Sequence, residues 1–260
     1  MTASAPLESQ AEPIIRVEQL TIGYGGKALL RDVSFDVRRS EVLVILGGSG
    51  SVKSTLLKHM IGLQAPMSGR VLIGGEDIVR AEGARRQAIL RRFGVMYQHG
   101  ALFGSMTLLE NVRLPLEMFT SLSARAIDLV ARTKIDLVQL AGAEDMLPAE
   151  LSGGMRKRAA IARAMALDPD ILFLDEPSAG LDPIVSAEVD RLILRLSRSL
   201  GVTFVVVTHE LPSIFTIASR VVMLDRRSKG IAAIGDPREL RDHASDEWVR
   251  RFLNREAEAA

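Results

Sequence analysis

Apolar residues fall along this chain in two kinds of run. Residues 42–46, 171–174 and 204–207 are apolar without interruption. Unbroken apolarity over so short a span predicts strands buried on both faces, as in a parallel sheet covered by helices. Each run ends in polar residues: a glycine loop beginning at Gly47, the pair Asp175-Glu176, and Thr208-His209. A further strand over 93–97 ends at Gln98. Ligands of open parallel sheets sit beyond the carboxyl ends of the strands. The polar clusters therefore predict one shared site.

The first part of the chain has a different pattern. Residues 15–22, 28–37 and 70–78 are strand-like, with turn signals at Gly25-Gly26 and Gly74-Gly75, which predicts a small antiparallel β layer beside the main sheet. From about 107 to 167 helical spacing dominates. Ile127, Val130, Ala131, Ile135 and Val138 mark a helix over 123–140, and a second follows over 155–167. Helices lying between two strands of one sheet predict an inserted helical subdomain at about 100–167. A closing helix over 245–254 carries the apolar stripe Trp248, Val249 and Phe252, which braces either the subunit's own core or a neighbour. The expected division is a loose polar tail at 1–13 with no secretory signal, one main α/β domain at 14–240, and a C-terminal helix and tail at 241–260. No apolar run reaches the roughly 18 residues that span a bilayer.

Composition narrows the picture. With 47% hydrophobic residues in 260 the chain can fill a core, and with only 4% aromatic residues Leu, Val, Ile and Ala must pack it. A formal net charge of +1 gives no bulk electrostatic case for nucleic acid, and the cluster Arg156-Lys157-Arg158 is expected on a solvated helix face. The absence of cysteine excludes disulfides and thiolate metal sites. Mean hydropathy is +0.17, high for a freely soluble protein. Ala- and Leu-rich helices around a buried sheet explain it, as does an exposed apolar groove for a partner.

The chemistry begins at Gly47-Gly48-Ser49-Gly50-Ser51-Val52-Lys53-Ser54-Thr55. Glycines let successive N–H groups turn inward around phosphate oxygens, and the helix that follows adds the positive end of its dipole. Lys53 supplies a mobile charge for the β- and γ-phosphates, and Ser54 can ligate Mg²⁺. Val52 stands where G-x-x-x-x-G-K-[ST] calls for its last glycine. If that position needs a positive φ, a β-branched residue there costs about 1–3 kcal/mol. An inactivating substitution and a tolerated one both remain open. Ser40 sits at a second turn where glycine would be easy.

Asp175 can hold Mg²⁺ at its strand end, and Glu176 can polarise a water for in-line attack. Gln98 can contact the metal or the water, and His209 the γ-phosphate. Ser152-Gly153-Gly154, at a helix start, forms another anion-binding end. Two anion sites on one chain, with one nucleotide expected, point to head-to-tail dimerisation.

Taken together, the glycine loop, Gln98, Leu151-Ser152-Gly153-Gly154-Met155, the run 171–177, Ser178-Ala179-Gly180-Leu181-Asp182 and His209 resemble an ABC-transporter ATPase subunit from residue 15 to about 236. The resemblance implies an α/β P-loop NTPase fold of the ABC nucleotide-binding type. It implies ATP and Mg²⁺ as ligands. Tyr24 would stack on adenine. Gly47, Gly48, Ser49, Gly50, Ser51, Lys53, Ser54 and Thr55 would hold the triphosphate and metal, with Val52 departing from the family pattern. Gln98 and Asp175 would complete the Mg²⁺ site, Glu176 would be the general base, and His209 would sense the γ-phosphate. Ser152, Gly153 and Gly154 would cap the ATP of the opposite subunit of a homodimer, and Asp182 would line the seam.

A narrower likeness lies in Gln98-His99-Gly100-Ala101-Leu102-Phe103, Met106-Thr107, Glu110-Asn111-Val112, Pro115-Leu116 and Gly154-Met155-Arg156-Lys157-Arg158-Ala159. These segments are similar to the Mla/Mce-type lipid-transporter ATPases. That family implies a location on the cytoplasmic face of the inner membrane, under an integral-membrane permease that docks near 100–116. It implies phospholipid or similar hydrophobic cargo exchanged with a periplasmic lipid carrier through the permease. The competing readings are a regulatory subunit silenced by Val52 and a soluble ABC protein acting on nucleic acid. The single domain and near-zero charge count against the second.

Overall fold

The computed structural model describes residues 12–48 and 52–256. β1 (Ile15–Tyr24), β2 (Lys27–Val37) and β3 (Val42–Gly47) open the chain, and α1 (Val52–Met60) follows the glycine loop. β4 (Ser68–Ile73), β5 (Glu76–Asp77) and α2 (Gly83–Leu90) lead to β6 (Phe93–Met96). α3 (Leu108–Phe119), α4 (Ala124–Leu137) and α5 (Gly153–Ala164) precede β7 (Ile171–Asp175). α6 (Pro183–Leu200), β8 (Thr203–Val207), α7 (Leu211–Ile217) and β9 (Arg220–Asp225) follow. β10 (Gly230–Gly235), α8 (Pro237–His243) and α9 (Glu247–Asn254) complete it.

The main sheet has the order β10-β9-β3-β8-β7-β6. Pairs from β9 to β6 are parallel, and β10 is an antiparallel edge. The three continuous apolar runs are adjacent strands of this sheet, and each feeds two cores. Val42, Val44, Leu46, Leu172, Leu174, Phe204 and Val206 face a cluster shared with α3 to α7, whereas Leu43, Ile45, Ile171, Phe173, Val205 and Val207 face a second cluster with β1, β2, β4 and α1. Successive side chains on a strand point to opposite faces, so two-sided burial requires an unbroken apolar run. The antiparallel layer has the order β2-β1-β4-β5, with Gly25-Gly26 (φ 54° and 77°) in the left-handed turn between β1 and β2.

Local capping explains where helices begin. Thr107 and Glu110 form a reciprocal capping box on α3, and the Ser123 hydroxyl accepts from the Ala126 N–H at the start of α4. Asp182 accepts from the N–H groups of Ile184 and Val185 to open α6, whose residues Val189, Leu192, Ile193 and Leu196 form one buried stripe. Gly201, at φ 67°, closes that helix in the left-handed region. Three helices differ from the expectation, α9 by starting at Glu247 after an Asp246 cap. α4 stops at Leu137, with Val138 as its cap. α5 starts at Gly153 rather than 155, because the Ser152 hydroxyl accepts from the Met155 N–H and draws both glycines into the first turn. α9 buries Val249 and Leu253, with Trp248 and Phe252 packed more loosely against the same core.

Candidate functional site

The carboxyl ends of β3, β8 and β7 lie side by side, so the residues that follow them converge. Gly47 leaves β3 where a side chain has no room: an added Cβ would lie 2.5 Å from the Leu224 carbonyl oxygen of β9. Ser49, Gly50 and Ser51 lie outside the described residues. Lys53 is buried in the first turn of α1, and its ammonium donates to the carbonyls of Gly47 (3.0 Å) and Gly48 (3.4 Å). Burial pulls the Lys53 pKa down, with Glu176 and Asp175 opposing. The Ser54 hydroxyl donates to Asp175 Oδ1 at 2.9 Å. Burial raises the Asp175 pKa, and the Ser54 hydrogen bond opposes the rise.

Glu176 holds a left-handed backbone, φ 50°, which costs a non-glycine residue about 1–3 kcal/mol. Its N–H donates to the Val207 carbonyl at 2.8 Å. Its Oε1 lies 2.7 Å from His209 Nδ1, within hydrogen-bond distance. Oε2 is buried, with no hydrogen-bond partner among the described residues. This carboxylate, with Gly47, Gly48, Lys53, Ser54, Gln98, His209, Leu211 and Phe252, lines a cavity of about 510 Å³. A larger surface concavity of about 890 Å³, near Gly75 and Ala88, is lined by Glu82 and by two ion pairs, Arg80 with Asp77 and Arg85 with Glu76.

Other residues singled out in the sequence stand apart from this cavity. Tyr24, half exposed at the end of β1, donates to Gln64 Oε1 at 3.0 Å. Its pKa is lowered, first by a hydrogen bond with the Thr55 side chain and then by Gln64, which ties it to α1. Ser152 is exposed and caps its own helix. Gly153 lines a separate concavity of about 510 Å³ with Gln98, Lys157 and Leu181 among others, so Gln98 borders both spaces. Gly154 is pressed against α6, where an added Cβ would lie 2.3 Å from Val185 Cγ1. Asp182 serves as the α6 cap.

Val52 is the first residue of α1 and packs, half-buried, against the core under the antiparallel layer. Helical residues have negative φ. The left-handed strain considered from the sequence therefore finds no support, and neither does a site disabled by it. Ser40 does take the left-handed turn, φ 59°, with its hydroxyl donating to the Gly201 carbonyl.

One expectation is overturned. Arg156 is exposed, but Lys157 is buried, and its ammonium donates to the carbonyls of Gln98 (2.6 Å) and Glu176 (2.9 Å). A run of three basic residues on a helix sends them in different directions, about 100° apart. The spacing Gly154, Lys157, Ile161 would have revealed the inward face. Leu211 on the cavity wall escaped the sequence reading, and Phe252 was read only as part of the closing helix's apolar stripe, since neither carries a polar group to mark the cavity.

A family model described as ABC transporter matches residues 30–179. The chain belongs to the ABC transporter family. This ABC subunit is 41% identical over 240 residues to the probable ribonucleotide transport ATP-binding protein mkl of Mycobacterium leprae, covering 92% of this chain and 68% of that one. It is 36% identical over 248 residues to the intermembrane phospholipid transport system ATP-binding protein MlaF of Escherichia coli K12, covering 95% and 91%. Among solved structures it resembles the dimeric ATP-binding cassette MJ0796 in a post-hydrolysis state bound to ADP and Pi, with TM-score 0.76, 28% identity, and coverage of 85% and 98%. The ABC assignment fits the sheet order and the strand-end site, and the chain is an ATP-binding motor subunit of an ABC transporter. Among the described residues no helix is long and apolar enough to cross a membrane.

Proposed function

We propose that this ABC subunit hydrolyses Mg²⁺-ATP between two copies of itself and so drives phospholipid, or a similar hydrophobic cargo, between the inner membrane and a periplasmic carrier. One observation carries the hydrolytic reading. The buried Glu176 carboxylate is fixed at one oxygen by His209 and lines the cavity that Lys53 borders. A base so held can take a proton from a water in that cavity.

The other residues take supporting roles. Lys53 and the amides of the glycine loop bind the β- and γ-phosphates. Ser54, Asp175 and Gln98 hold the metal, the first two already 2.9 Å apart. Mg²⁺, when bound, supplies positive charge beside the transferring phosphoryl group. Tyr24 offers its half-exposed ring to adenine. The exposed Ser152 with Gly153 and Gly154 closes the site of the opposite copy, and Asp182 lies along the seam.

Membrane attachment is assigned to a permease seated at residues 100–116. Asn111 is fully buried and clamps this loop, donating to the carbonyls of Phe103, Met106 and Thr107 and accepting from the Phe103 N–H. The Phe103 ring is thereby presented to solvent, 52% exposed, with Met118, Phe119 and Leu122 exposed nearby in sequence. An apolar surface held rigid suits a helix of a membrane partner. The cargo follows the likeness to MlaF, which extends over nearly the whole of both chains.

The test is purification from native membranes with the partners retained. The reading expects a permease, a lipid-carrier subunit and bound phospholipid, with ATP turnover abolished by Glu176→Gln. A complex that carries ribonucleotide instead would transfer the cargo assignment to the mkl-like alternative. A chain recovered without any membrane partner would end the transport reading.

A further inference from the structure

Strained backbone persists only where its surroundings over-determine it. The left-handed Glu176 is held by its N–H to Val207, by the Ala179 N–H to its carbonyl (3.3 Å), and by the Lys157 ammonium to the same carbonyl (2.9 Å). Only the last of these comes from a side chain. The same ammonium donates to the Gln98 carbonyl at 2.6 Å. Lys157 sits on α5, one turn behind Ser152-Gly153-Gly154. A single buried cation thus joins the start of α5 to residues that follow two different strands, β6 and β7.

A buried ammonium suits the task. An ammonium has three donors and no acceptor, which matches a pair of carbonyl oxygens, and charge-assisted bonds are the strong ones. Space-filling alone would favour an apolar side chain, since burying a charge is costly. Burial does pull the Lys157 pKa down, and the carboxylates of Glu176 and Asp175 counter it.

We infer that Lys157 is a positioning residue for ATP hydrolysis, locking the Glu176 and Gln98 backbones to the helix that carries the Ser-Gly-Gly corner. Docking of that corner on a second copy then moves both residues as one unit. The inference rests on the reading of Glu176 as general base.

Lys157→Met keeps length and removes every donor, whereas Lys157→Gln keeps two. In the full-length protein, amide hydrogen exchange over residues 97–101 and 175–180 reports the clamp without any turnover. Loss of the charge-assisted bonds is expected to speed exchange there by about tenfold or more in Lys157→Met, with β8 unchanged and Lys157→Gln intermediate. ATP turnover should fall by roughly tenfold with KM within about threefold, because positioning acts on the chemical step. Unchanged exchange at both segments would overturn the inference. So would a uniform rise across the whole sheet with turnover per folded molecule intact, the mark of a packing role. Glu176→Gln that still turns over would sink the general-base reading instead, and the exchange result would still decide the clamp.

Discussion

Ser54 on α1 and Asp175 at the end of β7, 121 positions apart, meet through a hydrogen bond of 2.9 Å. The hydroxyl partly offsets the cost of burying that carboxylate. If the pair forms the metal site, Ser54→Ala removes a ligand as well as a partner. A hydrogen bond to a charged group is worth about 1.5–3 kcal/mol, so affinity for Mg²⁺-ATP should fall by roughly tenfold to a hundredfold. Nucleotide binding measured with Mg²⁺ and with EDTA separates the causes. An equal loss in both would show that Ser54 does not serve the metal.

Glu176→Gln keeps the shape of the side chain and removes its basicity. General-base catalysis contributes about 10²- to 10⁴-fold, so phosphate release should drop by that order. Nucleotide binding should persist, because Lys53 and Ser54 are untouched. His209→Ala frees Oε1 from its 2.7 Å partner and should slow turnover less severely. Steady-state phosphate release together with equilibrium nucleotide binding checks both variants.

Gly154 has no space for a methyl group, with Val185 Cγ1 at 2.3 Å from where its Cβ would stand. Val is stiff at χ1 and cannot swing aside freely. Gly154→Ala should therefore cost about 1–3 kcal/mol by overpacking, despite alanine's better helix propensity. Val185→Ala in the same chain should restore much of the thermal midpoint. Additive losses in the double variant would place the strain elsewhere.

Asp190 on α6 is buried, one of its oxygens lacks a partner among the described residues, and burial raises its pKa against an opposing hydrogen bond from Ser213. A raised carboxyl pKa means that the folded chain holds the proton more tightly than the unfolded chain. Its stabilising contribution is complete below the unfolded value of about 3.9 and is lost as pH rises through the folded value. Asp190→Asn does not titrate. The variant's thermal midpoint relative to wild type should climb between pH 4 and neutrality, and thermal unfolding across that range checks the sign.

Val52 offers a direct test of the glycine rule. As the first residue of a helix it has no left-handed strain for glycine to relieve. Val52→Gly should lower stability by about 1 kcal/mol through lost burial and added backbone freedom. Turnover per folded molecule should stay within about threefold of wild type. A rise of ten times or more would revive the disabled-site reading.

The main sheet was legible because two-sided burial writes itself as unbroken apolarity, as in Val42 to Leu46. β9 has the same signature in Val221-Val222-Met223-Leu224 and was passed over, since no chemistry follows it to draw notice. β10, half-buried and built of Gly, Ala and Ile, carries little strand signal at all. The polar residues at the strand ends were readable from order along the chain. Lys157 was not, because a charge in a basic run is indistinguishable from its neighbours until the helix phase is known. The start of α5 was misjudged for a related reason: glycines read as a turn until Ser152 is seen to cap beyond them.

The alternation of side chains in β3 between two separate cores restricts how this protein can evolve. Replacing Val44 disturbs one core, but deleting a single residue there would exchange the occupants of both at once, just ahead of the segment proposed to receive the phosphates. Changes of length must therefore accumulate in the connecting segments, while the central strands drift only by swaps of similar volume.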